Sequence, residues 1–240
     1  MNGDRRAARE KARKANARRS QAIAALSTLI VIGGLVTLVL TSSGWPVVKD
    51  TFFNVEVFKA DFGDILRAFW LDIKMFVVIE VAVLILGLIV AVTRTSKAPV
   101  PFPFRILGAL YCDFFRGIPV IILIYLFGFG IPALDLGLPT DPILLGGIAL
   151  TLAYSAYVAE VYRAGISSVH SGQMDAALAM GLTRTQSMRH VILPQAIRRV
   201  RPPLLNDFIS LQKDVALVYV LGVTEAFRVA QVFSASTFNY

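Results

Sequence analysis

The last long apolar block of this chain, residues 202–223, carries five polar residues that could do chemistry. Asn206, Ser210, Lys213 and Asp214 fall at i, i+4, i+7 and i+8, one face of a helix, and Asp207 lies at its edge three residues before Ser210. Ionisable groups inside an apolar segment are costly, so they are candidate pathway residues. An ammonium beside carboxylates along one stripe can meet a solute that carries both charges. The same groups can instead pair with charges on other helices and hold a bundle together, and the spacing leaves both readings open. Glu80, alone in its apolar block, is a weaker candidate of the same kind. Arg116 fits a side chain that snorkels from the inner end of a span. His170 and His190 have no metal-ligand spacing, and no metal or cofactor is expected. A Gly-x-x-x-x-Gly-Lys-Ser/Thr loop is absent, so ATP hydrolysis is not expected on this chain.

A second stretch is built for contact rather than for solutes. In Asp175-Ala176-Ala177-Leu178-Ala179-Met180-Gly181, residues Met174, Ala177, Leu178, Gly181 and Leu182 share one helical face. Ser171 can cap the start, and Gly181 suits the left-handed stop. Thr183-Arg184-Thr185-Gln186 has the capping-box spacing. Val191-Ile192-Leu193-Pro194 then places Pro194 in the first turn of the next helix. The expected order is helix, sharp turn, helix, turn, span. Small Ala176 and Ala177 would admit a partner surface; the competing reading is a helix resting on lipid headgroups.

These two sites need a membrane scaffold to position them, and composition supplies one. Of the 240 residues, 56% are hydrophobic and 17% charged, below the quarter usual in soluble domains. Five blocks approach the ~20 residues that cross a bilayer: 22–41, 75–93, 117–134, 142–159 and 202–223. The first is too long for a cleaved leader and reads as an anchor, residues 21–42. Ahead of it, the tail 1–20 holds eight Lys or Arg against Asp4 and Glu10. That charge reads as a cytoplasmic topology signal, not a nucleic-acid site, on a tail without fixed structure. The connections then alternate. Residues 43–62 lie outside with an acidic excess, 94–105 inside with Arg94, Lys97 and Arg105, 135–141 outside, and 164–201 inside with five arginines beyond Thr183. Pro99, Pro101 and Pro103 should keep 98–103 extended. A single Cys112 excludes an internal disulfide.

The cytoplasmic stretch resembles the loop shared by permease subunits of bacterial ATP-binding-cassette importers: Glu-Ala-Ala, three residues, Gly, nine residues, Ile-x-Leu-Pro. Asp175, Ala176, Ala177, Gly181, Val191, Leu193 and Pro194 occupy that pattern, with Asp175 and Val191 as conservative departures. Phe115-Arg116-Gly117-Ile118-Pro119, Ala153-Tyr154, the segment Tyr157 to Arg163, and Lys213-Asp214-Val215-Ala216-Leu217 are similar to the polar amino-acid uptake subfamily. The likeness covers roughly 63–238. Val215 and Ala216 stand where that group has Thr-Ser, and Leu123 where it often has Gln; both places are ones where substrate is expected to pass.

The resemblance implies an all-α polytopic membrane protein with about five transmembrane helices and the type I importer permease fold, residues 63–240. Members usually continue into one more helix, so the sequence is expected to stop before it. The resemblance also implies a bacterial inner membrane location and a multi-pass chain with a cytoplasmic N-terminus. The partners it implies are an ATPase dimer gripping the helix 171–182, an extracytoplasmic solute-binding protein, a second permease subunit and membrane lipid. The rival readings are a permease for another small solute, an ion-coupled transporter working alone, and a non-transporting anchor.

Overall fold

The computed structural model describes residues 2–95 and 102–237, which fall into two compact units, 2–58 and 59–237. In the first unit, helix α1 runs from Asn2 to Leu40 without interruption. The basic tail is therefore helical rather than unstructured. Its Ala, Arg, Lys and Glu are strong helix formers, and the apolar stretch gives them a helix to extend. Every residue from Asn16 to Leu40 is exposed, as a lipid-facing anchor requires. Residues 43–62, expected as an outer loop, are largely helical: α2 spans Trp45–Phe52 and α3 begins at Val55. Asn54 caps α3, its Oδ1 accepting from Glu56 N at 3.0 Å and Val57 N at 3.3 Å.

From Lys59 on, the second unit is all-helical among the described residues. Helix α3 continues to Thr95, so the apolar block 75–93 is only its second half. Helix α4, Phe102–Gly117, takes Pro103 in its first turn, where a missing N–H costs nothing. Pro103 is thus helical, not extended; Pro99 and Pro101 lie outside the described residues. The block 117–134 begins with a break. Gly117 ends α4, Pro119 cannot donate, and α5 (Val120–Tyr125) departs at 104°. A π-turn, Leu126–Gly130, and a short α6, Ile131–Ala133, follow. Helix α7, Pro142–Ser167, starts on Asp141, whose Oδ1 accepts from Leu144 N at 2.8 Å.

Next come α8 (Ser171–Ala179) and the single turn α9 (Arg184–Ser187). A second π-turn, Met188–Ile192, leads into α10, Leu193–Asp214. No separate turn precedes Pro194. The π-turn sends Leu193 N to Met188 O, and the proline then sits in the helix without a lost donor. A 3₁₀ segment, Val215–Leu221, closes on Gly222 at φ +87°, and α11 (Ala226–Thr237) leaves at 56°. Among the described residues, three helices are long and apolar enough to cross a membrane, or up to five spans if each bent pair is one.

Helix α7 is the hub. It packs on α4, α5, α10 and the 3₁₀ segment around Met75, Ile79, Leu123, Leu150, Tyr154, Leu211 and Val218. Close approach rests on glycine. A Cβ on Gly87 would lie 2.8 Å from Val158 Cγ1, and one on Gly146 would lie 2.7 Å from Val218 Cγ1. At one end, Glu160 of α7 holds Arg94 of α3 at 2.9 Å and also pairs with Arg163.

Candidate transport path and coupling surface

Helices α7 and α10 build a cleft from their facing polar residues. Asp207, Ser210, Lys213 and Asp214 line it with Tyr154, Tyr157 and Val120, around about 340 Å³. Tyr154 donates its hydroxyl to Asp214 Oδ2 at 2.8 Å. Asp207 Oδ2 is buried and has no hydrogen-bond partner. Among the described residues, Lys213 forms no ion pair, so the pairing reading of Lys213 with a helix-borne carboxylate has no contact to support it here. Asp214 is the residue paired across helices, and its partner is a tyrosine hydroxyl. The cleft therefore holds an ammonium without an ion pair, and in its wall a sealed carboxylate oxygen without a partner.

Four of the five path candidates come together. Asn206 does not; it is exposed on the flank of α10, and Asp207 takes the inward position one residue on. Leu123 and Val215, placed by sequence where substrate was expected to pass, are fully buried in the apolar core instead. Glu80 is half-buried one turn beyond Phe76, whose ring meets Phe208 of α10 at 4.6 Å, so it faces α10 without lining the cleft. Arg116, expected to snorkel from the inner end of a span, is exposed. It sits at the α4–α5 break with its guanidinium 5.5 Å from the Tyr157 ring, while Tyr157 donates to Arg116 O at 3.3 Å. Tyr154 and Tyr157 were visible in sequence only as part of a familiar segment. Their spacing of three, on the apolar block opposite Asp214, is the signal that could have placed them in the cleft.

The cytoplasmic stretch is rigidly built. His170, rather than Ser171, caps α8, its Nδ1 accepting from Gly172 N at 3.1 Å. The helix ends in a Schellman motif: Gly181 N donates to Leu178 O at 3.0 Å and Leu182 N to Ala177 O at 3.2 Å. Gly181 supplies the left-handed residue at φ +88°. The Thr183–Gln186 capping box is closed in both directions, with Thr183 N to Gln186 Oε1 at 2.9 Å and Gln186 N to Thr183 Oγ1 at 3.3 Å.

Val169, Ile192 and Ala196 form a small core beneath α8, with Met174 and Val191 packed against it. Gln195 reaches Gln173 at 3.3 Å, and Arg199 bonds the Ser168 carbonyl. Ala177 is 1% exposed, so of the two alanines only Ala176 offers close approach. Asp175, Ala176, Ala179, Met180 and Gly181 form the outward face, and Met180 is 75% exposed. Leu193 and Pro194 are also exposed, whereas Val191 serves the small core.

Residues 83–240 match the family described as binding-protein-dependent transport system inner membrane component. The chain is 38% identical over 184 residues to the probable glutamine ABC transporter permease protein GlnM of Bacillus subtilis (strain 168), covering 77% of this chain and 83% of that one. It is 35% identical to the arginine transport system permease protein ArtQ of the same organism, covering 73% and 78%. A probable amino-acid ABC transporter permease of Vibrio harveyi, PatM, is 40% identical over 65% of this chain and 70% of its own length. Among solved structures, an amino acid ABC transporter crystallised with histidines superposes with a TM-score of 0.67 at 31% identity, covering 73% of this chain and 80% of that one. The inward-facing MetNI methionine transporter has the same fold, with a TM-score of 0.52 at 19% identity over 72% and 89%.

Proposed function

From the premise that this chain belongs to the family of binding-protein-dependent transport inner-membrane components, we propose that it forms one wall of the path by which a polar amino acid is imported. Members are multi-pass inner-membrane transport subunits, not enzymes, and the energy is released on a separate ATPase. The single observation that carries the solute reading is the α7–α10 cleft. Lys213 there can meet a carboxylate, and the Asp207 carboxylate can meet an ammonium. Asn206, beside the cleft, is the flank over which solute would pass. The relatives that resemble the chain along most of its length are permeases for glutamine, arginine or amino acids, which points the same way.

The outward face of α8 is the coupling surface. Its Schellman end and the small core beneath it make α8 move as one piece with α10, so a pull on Asp175, Ala176 and Met180 is passed to the helix that lines the cleft. Gly181 keeps the turn that presents this face, Val191 packs against the small core beneath it, and the exposed Leu193 and Pro194 extend the coupling surface. The ATPase that grips it must favour one state of the bundle over the other, since a partner shifts an equilibrium only by its differential affinity. A second permease subunit completes the enclosure and a solute-binding protein delivers from outside. The positive-inside pattern supports a cytoplasmic N-terminus.

Co-purification with the cognate ATPase tests the coupling surface. Wild type is captured and Gly181→Leu is not. The space around Gly181 is open, so the damage comes from forcing a branched side chain into φ +88° and not from a clash. Equal capture of both forms would overturn the coupling role.

A further inference from the structure

Lys213 also lines a second, smaller pocket of about 200 Å³. Phe69 and Asp72 of α3, Gln212 and Lys213 of α10, Ala216, and Glu225, Ala226 and Phe227 at the start of α11 line it. Asp72 lies 22 residues before Arg94 on one continuous helix, so the pocket is about 33 Å along α3 from the Arg94–Glu160 pair. It is at the end of the bundle away from α8.

Its two acids are not equivalent. Glu225 is fully buried and saturated: Oε2 accepts from Phe227 N at 2.7 Å and Oε1 from Arg228 N at 2.6 Å, closing the first turn of α11. Asp72 is only 7% exposed, and one oxygen takes Ala226 N at 3.3 Å. Its other oxygen, Oδ1, is buried with no partner at all. A buried charge left half-satisfied is expensive, and a helix cap needs only one oxygen. Capping therefore does not account for the second one. Lys213 lines the same pocket and forms no ion pair among the described residues.

Resting on the amino-acid reading above, we propose that this pocket is an outer subsite for a free α-amino acid. The Asp72 carboxylate takes the α-ammonium, Lys213 Nζ the α-carboxylate, and the side chain lies between Phe69 and Phe227. Charge matching fixes the class. One half-satisfied carboxylate and one unpaired ammonium in the same small space fit a zwitterion, whereas a bare cation would leave Lys213 repelling it. Lys213 is the one lysine common to both pockets. A carboxylate held by Lys213 can thus pass from the Asp72 side to the Asp207 side while the same ammonium keeps hold of it, and the substrate's amino group exchanges one carboxylate for another.

The test uses the assembled complex with its ATPase, second permease subunit and binding protein in proteoliposomes, with L-glutamine and L-arginine as probes. In a Cys112→Ala background, Ala216→Cys places a thiol on the pocket wall, and its reaction with a cationic methanethiosulfonate reagent is timed. Amino acid at ten times its dissociation constant leaves the site free about a tenth of the time, so modification slows about tenfold. Asp72→Asn keeps an oxygen for Ala226 N but loses the charge, and it abolishes the protection.

Lys213→Met abolishes it as well, and Asp72→Glu restores part of it; these two variants decide the matter if Asp72→Asn does not assemble. Protection that survives both charge removals overturns the subsite. So does an absence of protection in a complex that imports amino acid with ATP, and that result leaves the transport reading standing. Failure of the complex bearing neither substitution to import either amino acid with ATP overturns the transport reading and the subsite with it.

Discussion

Tyr154 on α7 and Asp214 on α10 share a 2.8 Å hydrogen bond across the wall of the cleft. The bond does two things. It satisfies a carboxylate in an apolar setting, and it fixes the end of α10 against the hub helix where the 3₁₀ segment begins. Lys213 is thereby left without the neighbour that sequence would most readily have assigned to it. Tyr154→Phe removes the donor and strands Asp214. Hydrogen bonds to charged groups are worth about 1.5–3 kcal/mol, so the purified subunit should melt at a lower temperature. Asp214→Asn, which keeps an acceptor without the charge, should be milder. Thermal melts of both variants in one detergent check the order, and equal melts would remove the bond from the list of stabilising contacts.

Ala176 and Ala177 are neighbours in sequence with opposite surroundings. Ala177 is 1% exposed against the bundle, whereas Ala176 faces out. Ala177→Leu overpacks a small core, at a cost of about 1–3 kcal/mol, and should lower the yield of folded subunit. Ala176→Leu should leave folding and melting unchanged and still block ATPase capture, because the added bulk lies on the surface a partner must approach. Loss of fold in both, or capture by both, would contradict this division of the helix.

How much of this was legible beforehand follows from which interactions are local. The Schellman end at Gly181 and the Thr183–Gln186 box are set by a few adjacent residues, and their sequence signals gave the turn correctly. The cleft was half legible. Helical spacing put Ser210, Lys213 and Asp214 on one stripe, but the choice of Asp207 over Asn206 depends on how α10 is rotated against α7, which periodicity within one helix does not determine. Leu123 and Val215 show the same limit, since a position matched by resemblance became a core position once its helix was packed. Span boundaries were the weakest part. Charged residues such as Glu56, Lys59 and Asp61 marked a loop by hydropathy, yet nothing there breaks a helix, and α3 runs through them.

Glu160 is shared by two cations, Arg94 from α3 and Arg163 one turn along α7. Arg94 is the more enclosed of the two, at 15% side-chain exposure. Removing the shared anion should therefore hurt more than removing either cation, because it leaves a half-buried guanidinium uncompensated. Glu160→Gln is expected to destabilise the subunit more than Arg163→Gln, and the Glu160→Gln, Arg94→Met pair should recover part of the loss. A double-mutant cycle on melting measures that coupling, and additive losses would show that the three charges are not a unit.

Gly87 and Gly147 both lie in helix interfaces but with different clearances. A Cβ at Gly87 meets Val158 Cγ1 at 2.8 Å and the Ser155 carbonyl oxygen at 3.2 Å, and the second of these is backbone that cannot rotate away. A Cβ at Gly147 meets only Ile79 side-chain atoms, the nearest at 3.7 Å, which is ordinary contact. Gly87→Ala must separate α3 from α7, at about 1–3 kcal/mol for overpacking. The shift is carried to Glu160 by the Arg94 pair, since both residues lie on these same two helices. Gly147→Ala should be neutral or slightly stabilising, because alanine is the better helix former by about 0.8–1 kcal/mol. Melting of the two alanine variants side by side checks the contrast. A Gly87→Ala subunit as stable as wild type would show that α3 can move off α7 freely, and that the close approach at Gly87 does not hold the bundle.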